Sequence, residues 1–349
     1  MSKILDALRR AESARQGIGF VTEEESPEHP SEFQVVTVCS NKGGVGKTTI
    51  ASNLAVYLRA LREDDPVLIL GFDDQTTLDR MFALDTSPSR GNLADGLRAK
   101  NLARVSHFGQ YGVDYVPTCT DVPALRSLVD GPESLQRTLV ASQRSGTIVI
   151  DTKSDFEILT RSAILVSDLT IVVVKEQASL IEAKRVFELL EKANRPRESA
   201  RILLSLVDLR VKFREGEDAD VLAHLLSEIR KEGYPVFETF ISRSPKVESL
   251  YTNPESRAIA ILQGARQSLV HRQMIQLTRE VVRELASNAL EQEPDRIESE
   301  FSQRASGPPV SLPSPPPPPR PRTTPTDSRP PSPRKGPRFW GGMTSKSNP

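Results

Sequence analysis

The run Ser40-Asn41-Lys42-Gly43-Gly44-Val45-Gly46-Lys47-Thr48-Thr49 carries the clearest chemistry in this chain. Gly43, Gly44 and Gly46 let backbone N–H groups approach an anion closely, and an ammonium and two hydroxyls follow directly. The spacing fits a polyphosphate. Gly43 to Gly46, with Val45 among them, would form the cradle and Lys47 would bridge the β- and γ-phosphates. Thr48 would hold Mg²⁺, with Thr49 completing the run at a helix N-terminus whose partial positive charge adds to the attraction. Two acids downstream are candidates for the same centre. Asp73 lies just past Val67-Leu68-Ile69-Leu70, and Asp151 closes Gly146-Thr147-Ile148-Val149-Ile150. An acid at the end of an apolar strand suits the hydration shell of a phosphate-bound Mg²⁺. The plainer reading of either acid is a cap on the following turn.

Those residues need a scaffold that brings strand ends together. Val35 to Cys39 is a short β-branched run of the buried-strand kind, and Ile50, Leu54, Leu58 and Leu61 recur behind it at helical spacing. Strand patterns follow at 67–70, 113–117, 146–151, 169–174, 201–207 and 236–241. Helical patterns occupy 92–100, 132–142 and 178–193, the last with Leu180, Ala183, Phe187 and Leu190 inward. A long closing helix is expected from Gly264 to Leu290, bearing Arg266, Arg272, Arg279 and Arg283. This alternation predicts an α/β fold with a doubly wound, mostly parallel sheet, whose ligands bind outside the strand carboxyl ends.

Lys42 narrows the reading. An ordinary P-loop has no lysine just before the glycine pair, and Asn41 stands where its first glycine belongs. The run Lys-Gly-Gly-Val-Gly-Lys-Thr-Thr resembles the deviant Walker A motif of the ParA/MinD family of P-loop ATPases, and the resemblance extends over approximately residues 33–290. It implies ATP and Mg²⁺ as cofactors, slow and partner-stimulated hydrolysis, and an ATP-dependent homodimer in which Lys42 reaches the partner's phosphates. Within that resemblance Lys42 and Lys47 spread phosphate charge, Thr48 and Asp151 place the metal, and Asp73 aligns the attacking water. Asp208 would contact the base, with Arg210 as its neighbour. Three departures stand out. Where the family usually reads Asp-x-Asp-Pro-Gln this chain reads Gly71-Phe72-Asp73-Asp74-Gln75, and Thr152-Lys153 stands where Thr-Pro is common. A glycine at the first of these positions also occurs in the nitrogenase iron-protein branch. The opening Met-Ser-Lys-Ile-Leu-Asp-Ala-Leu resembles bacterial exopolysaccharide tyrosine autokinases. Those proteins carry a C-terminal tyrosine cluster, whereas the last tyrosine here is Tyr251. A nucleotide-gated interaction module with little turnover is the other alternative.

Composition bounds the rest. With 349 residues and 37% hydrophobic content the chain can bury one large domain, and 46 basic against 46 acidic residues leave no net charge. Two cysteines without metal spacing, no secretory leader and no apolar run of about 20 residues predict a cytoplasmic protein, nucleoid- or membrane-associated at most. Three segments are expected. Residues 1–32 hold a short amphipathic helix with Ile4, Leu5, Leu8 and Ala11 on one face, then an acidic linker. Residues 33–292 form the ATPase domain. Residues 293–349 are a disordered, basic, proline-rich tail that includes Pro315 to Pro319. Non-specific DNA, a protein activator of the ParB kind and peripheral membrane contact are the expected partners, in partitioning or positioning of cargo.

Overall fold

A computed structural model describes residues 33–84, 91–142, 145–208, 221–252 and 257–291. The expected N-terminal helix and linker, Arg210 and the proline-rich tail lie outside these residues. The strands are β1 (Phe33–Cys39), β2 (Val67–Gly71), β3 (His107–Phe108), β4 (Asp114–Tyr115), β5 (Gly146–Asp151), β6 (Leu169–Val174) and β7 (Ala200–Leu204). They form one sheet in the order β3-β4-β2-β5-β1-β6-β7, parallel except for the β3–β4 pair. The helices are α1 (Lys47–Leu61), α2 (Thr77–Phe82), α3 (Leu93–Arg98), α4 (Val122–Leu128), α5 (Pro132–Ala141) and α6 (Ile158–Val166). After them come α7 (Gln177–Lys192), α8 (Val221–Lys231), α9 (Pro245–Glu248), α10 (Ile261–Gly264) and α11 (Leu269–Glu291).

Strand residues alternate between two cores, as the two-residue period requires. Val36, Val38, Ile69, Val149, Ile171 and Leu203 face a core built from α1, α10 and α11. Their neighbours Val35, Leu68, Ile148 and Ile150 face α3 to α6, while Val172, Val174, Ile202 and Leu204 face α7 and α8. Both faces of the sheet are covered, which is why β2 and β6 are buried along their whole length. The register makes three strand ends level, since Val38 of β1 and Gly71 of β2 both pair with Asp151 of β5.

Three expectations change in detail. The closing helix starts at Leu269 rather than Gly264. Gly264 ends the short α10, and Ser268 opens α11 by accepting the His271 N–H at 3.2 Å. The expected strand at 113–117 is only Asp114–Tyr115, an antiparallel partner of a β3 that the sequence pattern hid. The expected strand at 236–241 reduces to two parallel bridges, Ile202 with Val236 and Val207 with Ser242. Between them the N–H groups of Glu238 and Thr239 go to the Glu280 carboxylate, at 2.8 and 3.0 Å. The Ser242 N–H goes to Gln273 Oε1 at 3.0 Å. Side chains of α11 therefore cover this edge.

Candidate functional site

The loop from β1 into α1 is built for an anion. Gly44 and Gly46 take left-handed φ values of 70° and 93°, and a Cβ on Gly46 would come within 3.3 Å of Ser205 Oγ. Gly46 is also the N-cap of α1, and its carbonyl accepts the Ile50 N–H at 2.9 Å, so the first N–H groups of the helix stay available to a ligand. Lys47 is 6% exposed. Its Nζ donates to Ser154 Oγ at 2.5 Å and to the Lys42 carbonyl at 3.4 Å. Burial pulls its pKa down, and the carboxylates of Asp151 and Asp73 oppose that. Ser154, which follows β5, is a site residue that the sequence reading missed. It lies beyond the recognisable acid, in a loop where no motif marks it.

Asp151 is 1% exposed and lies between the P-loop strand and β2. Burial pushes its carboxyl up to about 7, against the opposing effects of a Thr48 hydrogen bond and the Lys47 charge. Its Oδ1 has no hydrogen-bond partner, and it is the orphaned acceptor that a hydrated divalent cation beside Thr48 would satisfy. The residues present thus fit Mg²⁺. Asp73 is half-buried in the loop after β2, with its pKa raised first by burial and then by a hydrogen bond to Asp74. Backbone N–H groups of Asp74 and Gln75 also reach it. Gly71 has its own packing reason, since a Cβ there would lie 2.9 Å from Leu78 Cδ1 of α2.

Lys42 is 45% exposed, and its Nζ lies 3.5 Å from Glu176 Oε1 at the start of α7. Asn41 beside it donates to Glu182 Oε2 at 3.1 Å. On the other side of the P-loop a cavity of about 200 Å³ opens against Gly46, Thr49 and Ile50. Ser205, Leu206, Ser244 and Tyr251 are among the residues that complete its wall, and Asp208 is not among them. Ser205 Oγ is buried there without a partner, and the Tyr251 hydroxyl is held by Asn53 Nδ2 at 2.6 Å. The described residues thus bring together Lys42 to Thr49, Asp73 and Asp151, while Asp208 stands outside the cavity. Ser205 was hidden from the sequence reading because nothing distinguishes it from any serine at a strand end.

Known proteins give an independent measure. A family model described as an AAA domain matches residues 33–202. A ParA family protein of Mycoplasma pneumoniae is 21% identical over 269 residues, covering 71% of this chain and 97% of that protein. The chromosome partitioning protein ParA of Caulobacter vibrioides is 26% identical over 229 residues, covering 62% of this chain and 82% of that one. Among solved structures, the septum site-determining protein MinD from Pyrococcus horikoshii, complexed with Mg-ADP, aligns with a TM-score of 0.55 and 21% identity. That alignment covers 71% of this chain and 96% of MinD. An ATP complex of a singly substituted McdA from Cyanothece aligns with a TM-score of 0.56 and 14% identity, over 73% of this chain and 97% of McdA.

Proposed function

We propose that this chain, which carries a ParA/MinD-like P-loop domain, is a slow ATPase that dimerises around ATP·Mg²⁺ and is released by hydrolysis. The observation that carries the reading is the junction of buried Lys47 and Asp151 with Thr48 at the level ends of β1 and β5. Lys47 would exchange Ser154 for phosphate oxygens, and the loop N–H groups would fix the same oxygens in place. Thr48 and Asp151 would orient the cation's ligands. Bound Mg²⁺ supplies charge neutralisation of the phosphates. Asp73 would accept a hydrogen bond from the attacking water once its carboxylate leaves its own loop. The nucleoside would lie in the cavity beside Gly46, where Ser205 Oγ offers a hydrogen bond.

Lys42 is exposed on this face, so it is free to reach a second protomer after releasing Glu176. The dimer is the state that would bind DNA, a membrane surface or a protein activator, and through them position a cargo. Sizing the protein with and without a non-hydrolysable ATP analogue tests this. Wild type should shift to a dimer, and Lys42→Ala should stay monomeric while still binding nucleotide. A wild-type monomer in both states would sink the shared-site mechanism.

A second reading has one observation in its favour. Leu78 Cδ1 would lie 2.9 Å from a Cβ at Gly71, so the first acid of the usual pattern would have to displace Leu78, which suits a nucleotide-gated module of little turnover. ATP hydrolysis measured with and without DNA, lipid and candidate activators separates the two.

A further inference from the structure

Two of the positions where the chain departs from the ParA/MinD pattern meet each other. Lys153 Nζ donates to Asp74 Oδ2 at 2.9 Å, with the side chains 33% and 47% exposed. Asp74 adjoins Asp73 in the loop after β2. Lys153 lies two residues past Asp151 and directly precedes Ser154, the partner of Lys47. The Phe72 N–H to Asp151 carbonyl bond, at 2.9 Å, links the two chain segments where the strands end. Beyond it, the Asp74–Lys153 pair ties one loop to the other at the mouth of the phosphate site. Proline at either position would hold its φ from within. Here the chain leaves both positions free and joins them from outside by charge.

We propose that the Asp74–Lys153 ion pair is a positioning clamp, which fixes the loop carrying Asp73 relative to the loop after Asp151 and thereby sets the rate of hydrolysis without taking part in nucleotide binding. The proposal rests on the ATPase reading for its effect on rate, and on the loop geometry alone for the clamp itself. Two further contacts point the same way. The Asp73 carboxyl feels the adjoining Asp74 carboxyl, so a displacement of Asp74 reaches Asp73. Lys153 also feels the charges of Asp73 and Asp155, on the two chain segments that the pair joins. An ion pair this exposed shifts an equilibrium by at most about fivefold, ~1 kcal/mol, and weakens as salt rises. The clamp is therefore adjustable by ionic surroundings in a way that two prolines are not.

The test compares Lys153→Met, Asp74→Asn, the double variant and Asp74→Glu by kcat, by affinity for a fluorescent ATP analogue, and by amide exchange of residues 72–76 without nucleotide. Each single neutral variant should lose about two- to fivefold in kcat with affinity held within about twofold. The double variant should lose no more than the worse single, and Asp74→Glu should keep most of the rate. High salt should slow wild type toward the variants and leave the variants unchanged. A parallel loss of affinity in Lys153→Met would make Lys153 a phosphate ligand and overturn the clamp, as would additive losses in the double variant. If wild type shows no turnover under any condition, the ATPase reading fails and amide exchange still decides the clamp. Faster exchange in both neutral singles, with Asp74→Glu like wild type, supports it, and unchanged exchange in the singles overturns it.

Discussion

Asp151 shows how much of a site can rest on one carboxyl. In the unfolded chain it ionises near the ordinary value of 3.8, whereas in the native protein burial holds the proton on until about 7. Between those values the unfolded state has already released a proton that the native state keeps, so stability from this group falls as pH rises, and the deficit is complete above 7. Asp151→Asn removes the deficit. Without Mg²⁺, the melting temperature of Asp151→Asn relative to wild type should therefore climb from pH 5 to about 7 and then level off. A difference that is flat with pH would show the native carboxyl to be ionised throughout. With Mg²⁺ the dependence turns into one of binding, because the cation requires the ionised form, and nucleotide affinity gained from Mg²⁺ should shrink below pH 7. Asp73 makes a separate claim. Asp73→Ala should leave ATP affinity unchanged and reduce turnover by about 10²-fold or more, a loss of transition-state stabilisation alone, with the ATP-bound dimer accumulating. Unchanged hydrolysis in single-turnover measurements would assign the water to another group.

At the scale of elements, Gly71 is where strand and helix packing limits what the site can contain. The terminal residue of β2 faces Leu78 of α2, itself 2% exposed, at a distance that would oblige the Leu78 side chain to shift for a Cβ. Gly71→Ala should cost about 1–3 kcal/mol by overpacking, and Gly71→Asp, which restores the usual acid, should be at least as destabilising and gain no activity. Denaturant midpoints and ATPase rates check both variants, and a stable, faster Gly71→Asp would refute the packing account. The example also marks what the sequence could and could not tell. Every long strand was legible as an apolar run, and α1, α5 and α7 as periodic patterns, because burial on a parallel sheet writes itself into composition. The P-loop and the two acids at the strand ends followed from those runs. Short elements held by tertiary contacts were legible only in part: 113–117 and 236–241 read as strands, but β3 and the true extents of the two segments did not. The β3–β4 hairpin has two residues a side, and the 236–242 segment is finished by Glu280 and Gln273 from the distant closing helix. Leu78 closing over Gly71, Ser154 on Lys47 and Asp74 on Lys153 are likewise pairings that no local pattern encodes.

For the whole molecule the open matter is which surface the proposed ATP-bound dimer would hold, and charge placement gives it a measurable form. Arg272, Arg279 and Arg283 are exposed along one stripe of α11, spanning about 16 Å of helix. Arg266 is turned back, its Nε donating to the Leu262 carbonyl at 3.1 Å. Glu238 and Glu280 line the same groove as Arg279 and Arg283, so the field of this part of the stripe is offset. Residues 305–349 contrast with it, since they contain Arg320, Arg322, Arg329, Arg334, Lys335, Arg338 and Lys346 against the lone acid Asp327. Each phosphate neutralised on duplex DNA adds about 0.9 to the slope of log affinity against log salt, and a dimer presents every cation twice. DNA binding in the presence of an ATP analogue should therefore be steeply salt-dependent, and deleting 305–349 should flatten the slope by several units. Arg279→Ala with Arg283→Ala should change it by little more than one, because those arginines share their groove with Glu238 and Glu280. A slope untouched by the deletion and abolished by the arginine pair would move the contact to α11. Full-length protein that ignores DNA at low salt, yet sediments with anionic vesicles until residues 3–15 are removed, would instead place the ATP-bound state on a membrane.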